Sequence, residues 1–190
     1  MARRRPGKSR ARSRRSDFRE ILFANIFSVT GGLFAGSLLS FAIDKAYLIP
    51  GLFILLPGFL EMRGSISGSL SARLSSGLWL EAMRPQVKGN RILRGNVMAA
   101  LLLAVCVSLV LGGAAFLLSW LVFGKAITAI ILVALIAGLL SNVIEIPATV
   151  MTTFWLFRRG EDPNNIMGPY VTTLGDVVSI FSLLLAMVVV

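Results

Sequence analysis

The sequence predicts an all-α, polytopic membrane protein with five transmembrane helices. Hydrophobic residues make up 56% of its 190 residues and charged residues 15%, and the mean hydropathy is +0.81. A soluble domain is nearer 45–50% apolar and about 25% charged. Apolar runs of the length that crosses a hydrocarbon core recur along the chain. Most of the Lys and Arg residues lie in alternate intervals between those runs. Together these observations favour a chain that crosses a bilayer several times.

A basic segment precedes the first apolar run. Nine of the first nineteen residues are Arg or Lys, and such a segment has too little apolar surface to fold by itself. We expect residues 1–19 to form a disordered tail and residues 20–190 to form one membrane domain. Beside a membrane helix, this charge favours anionic lipid headgroups over nucleic acid as the partner. The next apolar run is too long for a signal peptide, and no small-residue cleavage site closes it.

The first predicted helix spans residues 20–43. Gly32 and Gly36 lie in its middle, at the GxxxG spacing that lets membrane helices approach closely. A short polar turn, Asp44-Lys45, separates it from the second span.

The second span, about 47–80, differs from the others along its length. Its first half is apolar and interrupted by Pro50 and Pro57, and its second half reads GSISGSLSARLSSG. Irregular or polar backbone is tolerated at membrane depth only where protein or water covers it. We therefore expect this span to lie inside the bundle or to line a cavity. A backbone break in its Gly/Ser-rich half would let its charged side chains point into a pathway.

The remaining spans are predicted at 97–123, 126–157 and 167–190. A basic loop follows span two, the very short turn Gly124-Lys125 follows span three, and a loop with two arginines follows span four. The tail and the loops after spans two and four hold fifteen basic residues, against two in the intervening turns. By the positive-inside rule the N-terminus is cytoplasmic, and after five crossings the C-terminus lies outside.

Cysteine and histidine usage excludes several chemistries. The chain has one cysteine, Cys106, and no histidine. A lone cysteine gives neither a disulfide framework within the chain nor a thiolate metal site, so we expect it in core packing. Without histidine, His–Ser and His–Cys catalytic arrangements and imidazole metal ligands are excluded.

The last span carries a single carboxylate near its middle, Asp176. An ionised side chain at this depth is expensive and usually functional. Thr172, Thr173 and Ser179 lie within one helical turn of it and form a polar stripe. Asp176 could be a buried partner of Arg63 or Arg73. The stripe favours a cation site, with Thr172 and Thr173 as neighbouring ligands.

Two further carboxylates lie at probable membrane depth. Glu145 shares a helix face with Asn142 and is interpreted as a ligand at the inner mouth of a pathway, or equally as a partner of the basic loop. Glu61 and Arg63 are two residues apart and point to different faces, so they do not simply neutralise each other. Glu61 is a candidate ligand, whereas Arg73 is expected to extend its guanidinium to water at the cytoplasmic boundary.

Carboxylates with hydroxyl and amide oxygens form a hard-oxygen environment. Such sites suit magnesium, calcium or manganese better than zinc or copper. Magnesium gives up its water reluctantly, so a partly hydrated ion held by one or two carboxylates is the natural species in a pore. The residues themselves leave the choice among the three metals open.

Two segments, LIPGLFILLPGFLEMRGSISGSLSARLSSGL and EDPNNIMGPYVTTLGDVVSIFSLLLA, resemble the membrane domain of MgtE-type magnesium transporters. The closer likeness is to their eukaryotic solute-carrier relatives, whose chains carry two such domains. The resemblance implies that Asp176 lines a pore and holds hydrated magnesium. It also implies a homodimer of five-helix units with the pore between them. Where bacterial members have Gly-Gly-Asn-x-Gly, this chain has RGSISG, and the resemblance does not extend to their cytoplasmic magnesium-sensing domains.

The sequence thus predicts a homodimeric divalent cation transporter or channel, a multi-pass protein of the cell membrane, and not an enzyme. One alternative is a membrane-embedded, magnesium-dependent enzyme acting on lipid phosphates. Against it, Asp176 is not part of a D-x-x-D pattern and no second carboxylate is placed for paired acid–base work. Another alternative is a membrane scaffold whose basic tail recruits a partner.

Overall fold

The computed structural model describes residues 14–41 and 51–190, with side chains from 18–40 and 51–190. These residues form five α-helices and, within those ranges, no strand: α1 Arg14–Phe41, α2 Gly51–Trp79, α3 Arg91–Phe123, α4 Ala129–Arg158 and α5 Pro163–Val189. The predicted all-α class with five helices is confirmed. Within the described ranges, four helices are long and apolar enough to cross a membrane. The exception is α2, whose hydropathy is lowered by three charged residues and a run of Gly and Ser.

The second helix is continuous, so its Gly/Ser-rich half contains no backbone break that would turn its charged side chains. It runs from Gly51 to Trp79 through Pro57, and Pro50 lies outside the described residues. Buried apolar side chains recur every three or four positions along it, at Leu70, Leu74 and Leu78 for example. This face packs against α3, α4 and α5, and that packing offsets the weak helix propensity of Gly and Ser. The predicted position inside the bundle is confirmed.

Local capping fixes the ends of α3 and α5. Asn90 accepts a hydrogen bond from the Leu93 amide at 3.0 Å, so α3 begins six residues before the predicted start. Gly124, at φ 65°, ends α3 in a left-handed conformation that favours glycine, as the predicted tight turn requires. Asp162 caps α5 by accepting from the Asn164 amide at 3.0 Å. Because α5 begins at Pro163, Asp176 is its middle residue.

The helix contacts fix relative directions within the bundle. Ser67 and Ser71 of α2 contact Glu145 and Thr153 of α4 respectively, so α2 and α4 run in the same direction. The Arg158 guanidinium donates a hydrogen bond to the Pro85 carbonyl. The basic loops after α2 and α4 therefore lie at the same end of the bundle, as alternate crossings of a membrane require.

The first helix packs on α5 and lies at the edge of the bundle. It begins at Arg14, so part of the predicted 1–19 tail is helical, and residues 1–13 lie outside the described residues. A Cβ atom built on Gly31 would lie 2.1 Å from Thr173 Cγ2, whereas one built on Gly36 would meet nothing within 4 Å. The close approach of α1 to α5 thus uses Gly31, and Gly36 makes no close contact with the other described helices of the chain.

The single cysteine does not pack in the core. Cys106 is exposed on the surface of the described bundle. The expectation of core packing is therefore wrong for this chain taken alone. The apolar run predicted α3, but the sequence does not show which face of this helix packs against the bundle.

Candidate cation site

A cavity of about 390 Å³ lies between α2 and α5 and is lined by Asp176, the middle residue of α5. Its wall is formed from α2 by Pro57, Leu60, Glu61, Gly64, Ser65 and Gly68 and from α5 by Gly168, Thr172, Gly175 and Asp176. Small residues leave this space open, because a Cβ atom on Gly64, Gly68 or Gly168 would meet nothing within 4 Å. The Gly/Ser-rich half of α2 therefore forms one wall of the cavity.

Two carboxylates line this cavity from different helices. Asp176 of α5 is half-buried and Glu61 of α2 is exposed. The Thr172 hydroxyl is one turn before Asp176 and donates to the Gly168 carbonyl at 3.0 Å, so its oxygen lone pairs can still face a ligand. Two carboxylates and a hydroxyl supply fewer oxygens than the octahedral shell that magnesium demands. An ion bound here would complete its shell with water.

Directly behind this wall lies a buried ion pair. Arg63 of α2 and Glu145 of α4 are 0% and 1% exposed, and their side chains form a salt bridge. Arg63 Nη2 also donates to the Gly175 carbonyl at 3.2 Å, and Ser67 Oγ donates to Glu145 Oε2 at 3.1 Å. Arg63 Cζ lies 5.5 Å from the centroid of the Phe59 ring. The pair thus joins α2, α4 and the residue immediately before Asp176.

The structure brings together three of the six predicted ligands and separates the other three. Asp176, Glu61 and Thr172 line the cavity. Glu145 lies behind the cavity wall and pairs with Arg63, so the alternative that it pairs with the basic loop is wrong. The different faces predicted for Glu61 and Arg63 are confirmed, because one is exposed and the other fully buried.

Thr173 and Asn142 are buried away from the cavity wall. Thr173 Oγ1 donates to the Pro169 carbonyl at 2.9 Å, and its methyl group faces Gly31 of α1. Asn142 Nδ2 donates to the Gly138 carbonyl at 2.8 Å within α4. Arg73 is exposed, in keeping with the expected extension of its guanidinium toward water.

The sequence predicted that the Gly/Ser-rich span lies inside the bundle or lines a cavity, but it did not identify Glu145 as the partner of Arg63. Gly64 and Gly68 are four residues apart and therefore lie on one face of α2. This spacing indicates, from the sequence, which face of the helix leaves open space. Arg63 and Glu145 are opposite charges at membrane depth on different helices, and such charges usually pair. Their pairing depends on tertiary contacts that helical periodicity does not contain.

A family model described as MgtE, divalent cation transporter, matches residues 56–186. The chain belongs to the MgtE family of divalent cation transporters. The matched region runs from α2 into α5 and contains every residue of the cavity wall. The predicted family resemblance is confirmed.

Curated relatives support the same placement. The chain is similar to solute carrier family 41 member 2 of Gallus gallus, with 24% identity over 167 residues that cover 84% of this chain and 28% of the relative. It is also similar to solute carrier family 41 member 2 of Homo sapiens, with 25% identity over 136 residues that cover 67% of this chain and 23% of the relative. The chain spans about a quarter of the length of these relatives. No solved structure matches it significantly.

Membership in the MgtE family settles the class of protein. The family is one of transporters, so the prediction that the chain is not an enzyme is confirmed. Several apolar helices of spanning length in an MgtE-family chain make it a multi-pass membrane protein, as predicted. The lipid-phosphate enzyme interpretation receives no support from the comparisons.

Proposed function

We propose that this MgtE-family protein carries magnesium across the cell membrane along a pathway lined by α2 and α5, with Asp176 as the central ligand. The observation that carries this proposal is the cavity that holds Asp176, Glu61 and Thr172 at the middle of α5. A carboxylate at mid-depth, beside a second carboxylate and an open glycine-lined wall, suits a partly hydrated divalent ion.

The exposure of the site supports a homodimer as the working unit. Glu61, Ser65 and Thr172 are exposed on the single chain. A carboxylate facing lipid hydrocarbon is expensive, so these polar groups need a cover of protein or water. A second copy related by a twofold axis would cover them and present two Asp176 carboxylates across one pathway. We therefore infer that the pathway lies between two copies.

The orientation follows from the basic loops at one end of the bundle. Arg84, Lys88, Arg158 and Arg159 belong to the two loops that meet there. By the positive-inside rule we propose that this end is the cytoplasmic side, with the N-terminus inside and the C-terminus outside. The basic tail then lies on the cytoplasmic leaflet, where it binds anionic headgroups at about 1 kcal/mol per basic residue.

Reconstituted protein tests the transport function directly. Purified protein in liposomes that contain a magnesium indicator is expected to give saturable Mg²⁺ uptake, compared with protein-free liposomes. Parallel runs with Mn²⁺ and Ca²⁺, with and without a proton or sodium gradient, identify the preferred ion and any coupling. Absence of divalent flux in folded, inserted protein would contradict the proposal and favour the scaffold interpretation.

Cysteine crosslinking tests the dimer. On a Cys106→Ala background, Gly168→Cys and Thr172→Cys place a thiol on the cavity side of α5, where both residues are exposed. We expect crosslinked dimers in the membrane at one or both positions, because cysteines bridge only when their Cα atoms come within about 7 Å. Val110→Cys on the exposed surface of α3 is the matched control. Crosslinking at Val110→Cys alone would place the subunit contact elsewhere.

A further inference from the structure

Arg63 is a fully buried cation close to the site at which a divalent cation is proposed to bind. Its side chain is 0% exposed and lies on the opposite side of α2 from Glu61. A buried guanidinium in a membrane helix requires a carboxylate, because an uncompensated charge there is strongly destabilising. The identity of that carboxylate decides what negative charge remains for a transported ion.

Two carboxylates compete for Arg63. Glu145 forms the salt bridge with it. Asp176 directly follows Gly175, whose carbonyl accepts from Arg63 Nη2 at 3.2 Å, so the second carboxylate belongs to the residue next to an Arg63 contact. Arg63 Nε and Nη1 are buried without a hydrogen-bond partner among the described residues. The guanidinium therefore has donors left for a second carboxylate.

Two local features hold Glu145 in the position in which it, rather than Asp176, pairs with Arg63. Ser67 Oγ donates to Glu145 Oε2 at 3.1 Å, and both side chains are buried. Gly175 leaves room for the carboxylate, since a Cβ atom there would lie 3.3 Å from Glu145 Oε1, closer than most real Cβ contacts. The Glu145 carboxylate is thus fitted against α5 at the turn that carries Asp176.

We propose that Glu145 is the dedicated counter-ion of Arg63, and that this pairing leaves the Asp176 carboxylate available to a divalent cation. The inference rests on the proposed transport function, and it assigns Glu145 to charge partition rather than to direct binding of the ion.

Charge partition predicts opposite effects for the two halves of one ion pair. Glu145→Gln removes the counter-ion, so Arg63 turns to Asp176 and competes with the transported cation. Arg63→Met removes the competitor, and the Asp176 carboxylate stays available to the transported cation. A purely structural salt bridge would instead give similar losses for both variants, because each breaks the same pair.

The test is the KM for Mg²⁺ uptake in liposomes. Glu145→Gln is expected to raise KM by about tenfold or more, given the strength of charge–charge coupling at a few ångströms inside a protein. Arg63→Met is expected to leave KM unchanged or lower it. Arg73→Met, which removes an exposed arginine from the same helix, is the matched control and should retain the wild-type KM. Equal changes in the two test variants, or no change in either, would overturn the proposal.

A double variant decides the matter if the single variants fail to fold. Arg63→Met combined with Glu145→Gln leaves no buried charge in the pair, and such neutral replacements are often tolerated. Its KM is expected to stay within about threefold of wild type, because nothing then competes for Asp176. A KM raised as much as in Glu145→Gln would overturn the inference. Loss of saturable Mg²⁺ uptake in the wild type would instead refute the proposed function itself.

Discussion

Asp176→Asn is expected to abolish magnesium flux while the protein still folds, inserts and dimerises. Asp176 is the middle residue of α5 and lines the cavity between α2 and α5. Asparagine is nearly isosteric but carries no charge, so a cation would lose its central anionic ligand. We expect flux to fall by about a hundredfold or more, because Coulomb attraction at such a site is poorly screened.

Flux per inserted molecule is the relevant measurement for this variant. Glu81→Gln is the matched control, since it removes one carboxylate from an exposed position in the loop after α2, outside the cavity. Gel filtration and thermal unfolding in detergent should give wild-type profiles for both variants. Wild-type flux in a well-folded Asp176→Asn protein would remove Asp176 from the pathway.

The number and type of helices could be predicted because they depend on local properties. Hydropathy gives the length of each span, and the tight turn at Gly124 follows from a residue that adopts positive φ easily. The central position of Asp176 could be predicted for the same reason, since depth along a helix depends only on where that helix begins. Capping by Asp162 moved the start of α5 by a few residues and left Asp176 in the middle.

The rotation of each helix and the choice of charge partners could not be predicted in the same way. Whether Cys106 faces the core or the outside depends on contacts between helices. The sequence offered Asp176 as a partner of Arg63, and only the packing of α2 against α4 brings Glu145 to it. The sequence allowed Glu145 to be a ligand because it lies at membrane depth beside polar residues. Its depth along the helix does not determine the direction in which its side chain points.

The second helix shows why hydropathy alone misjudges this site. The charged residues of α2 lower its mean hydropathy. Arg63 is nevertheless fully buried against α4 and α5, while Glu61 faces the cavity. One helix therefore holds a structural charge on one face and a proposed ligand on another. The Gly and Ser residues that follow them, such as Gly64 and Ser65, form the wall that leaves space for an ion.

Filling that space is expected to block transport without changing any charge. Gly68→Phe introduces a large side chain at a position that lines the cavity, where a Cβ atom would meet nothing within 4 Å. Glycine is also the weaker helix former, by up to about 1 kcal/mol, so the substitution does not weaken α2. We expect Mg²⁺ flux to fall by about tenfold or more, because the ring occupies volume that a hydrated ion needs.

A matched glycine separates occlusion from a general effect of bulk. Gly113 of α3 is also half-buried and helical, and a Cβ atom there would meet nothing within 4 Å, but it does not line the cavity. Gly113→Phe should retain wild-type flux, and Gly68→Ala should lie between wild type and Gly68→Phe. Because Asp176 and Glu61 are intact in all three variants, a graded loss that follows side-chain size at Gly68 points to steric closure of the pathway. Full flux in a folded, dimeric Gly68→Phe protein would mean that ions cross elsewhere, and the cavity between α2 and α5 would then have no part in transport.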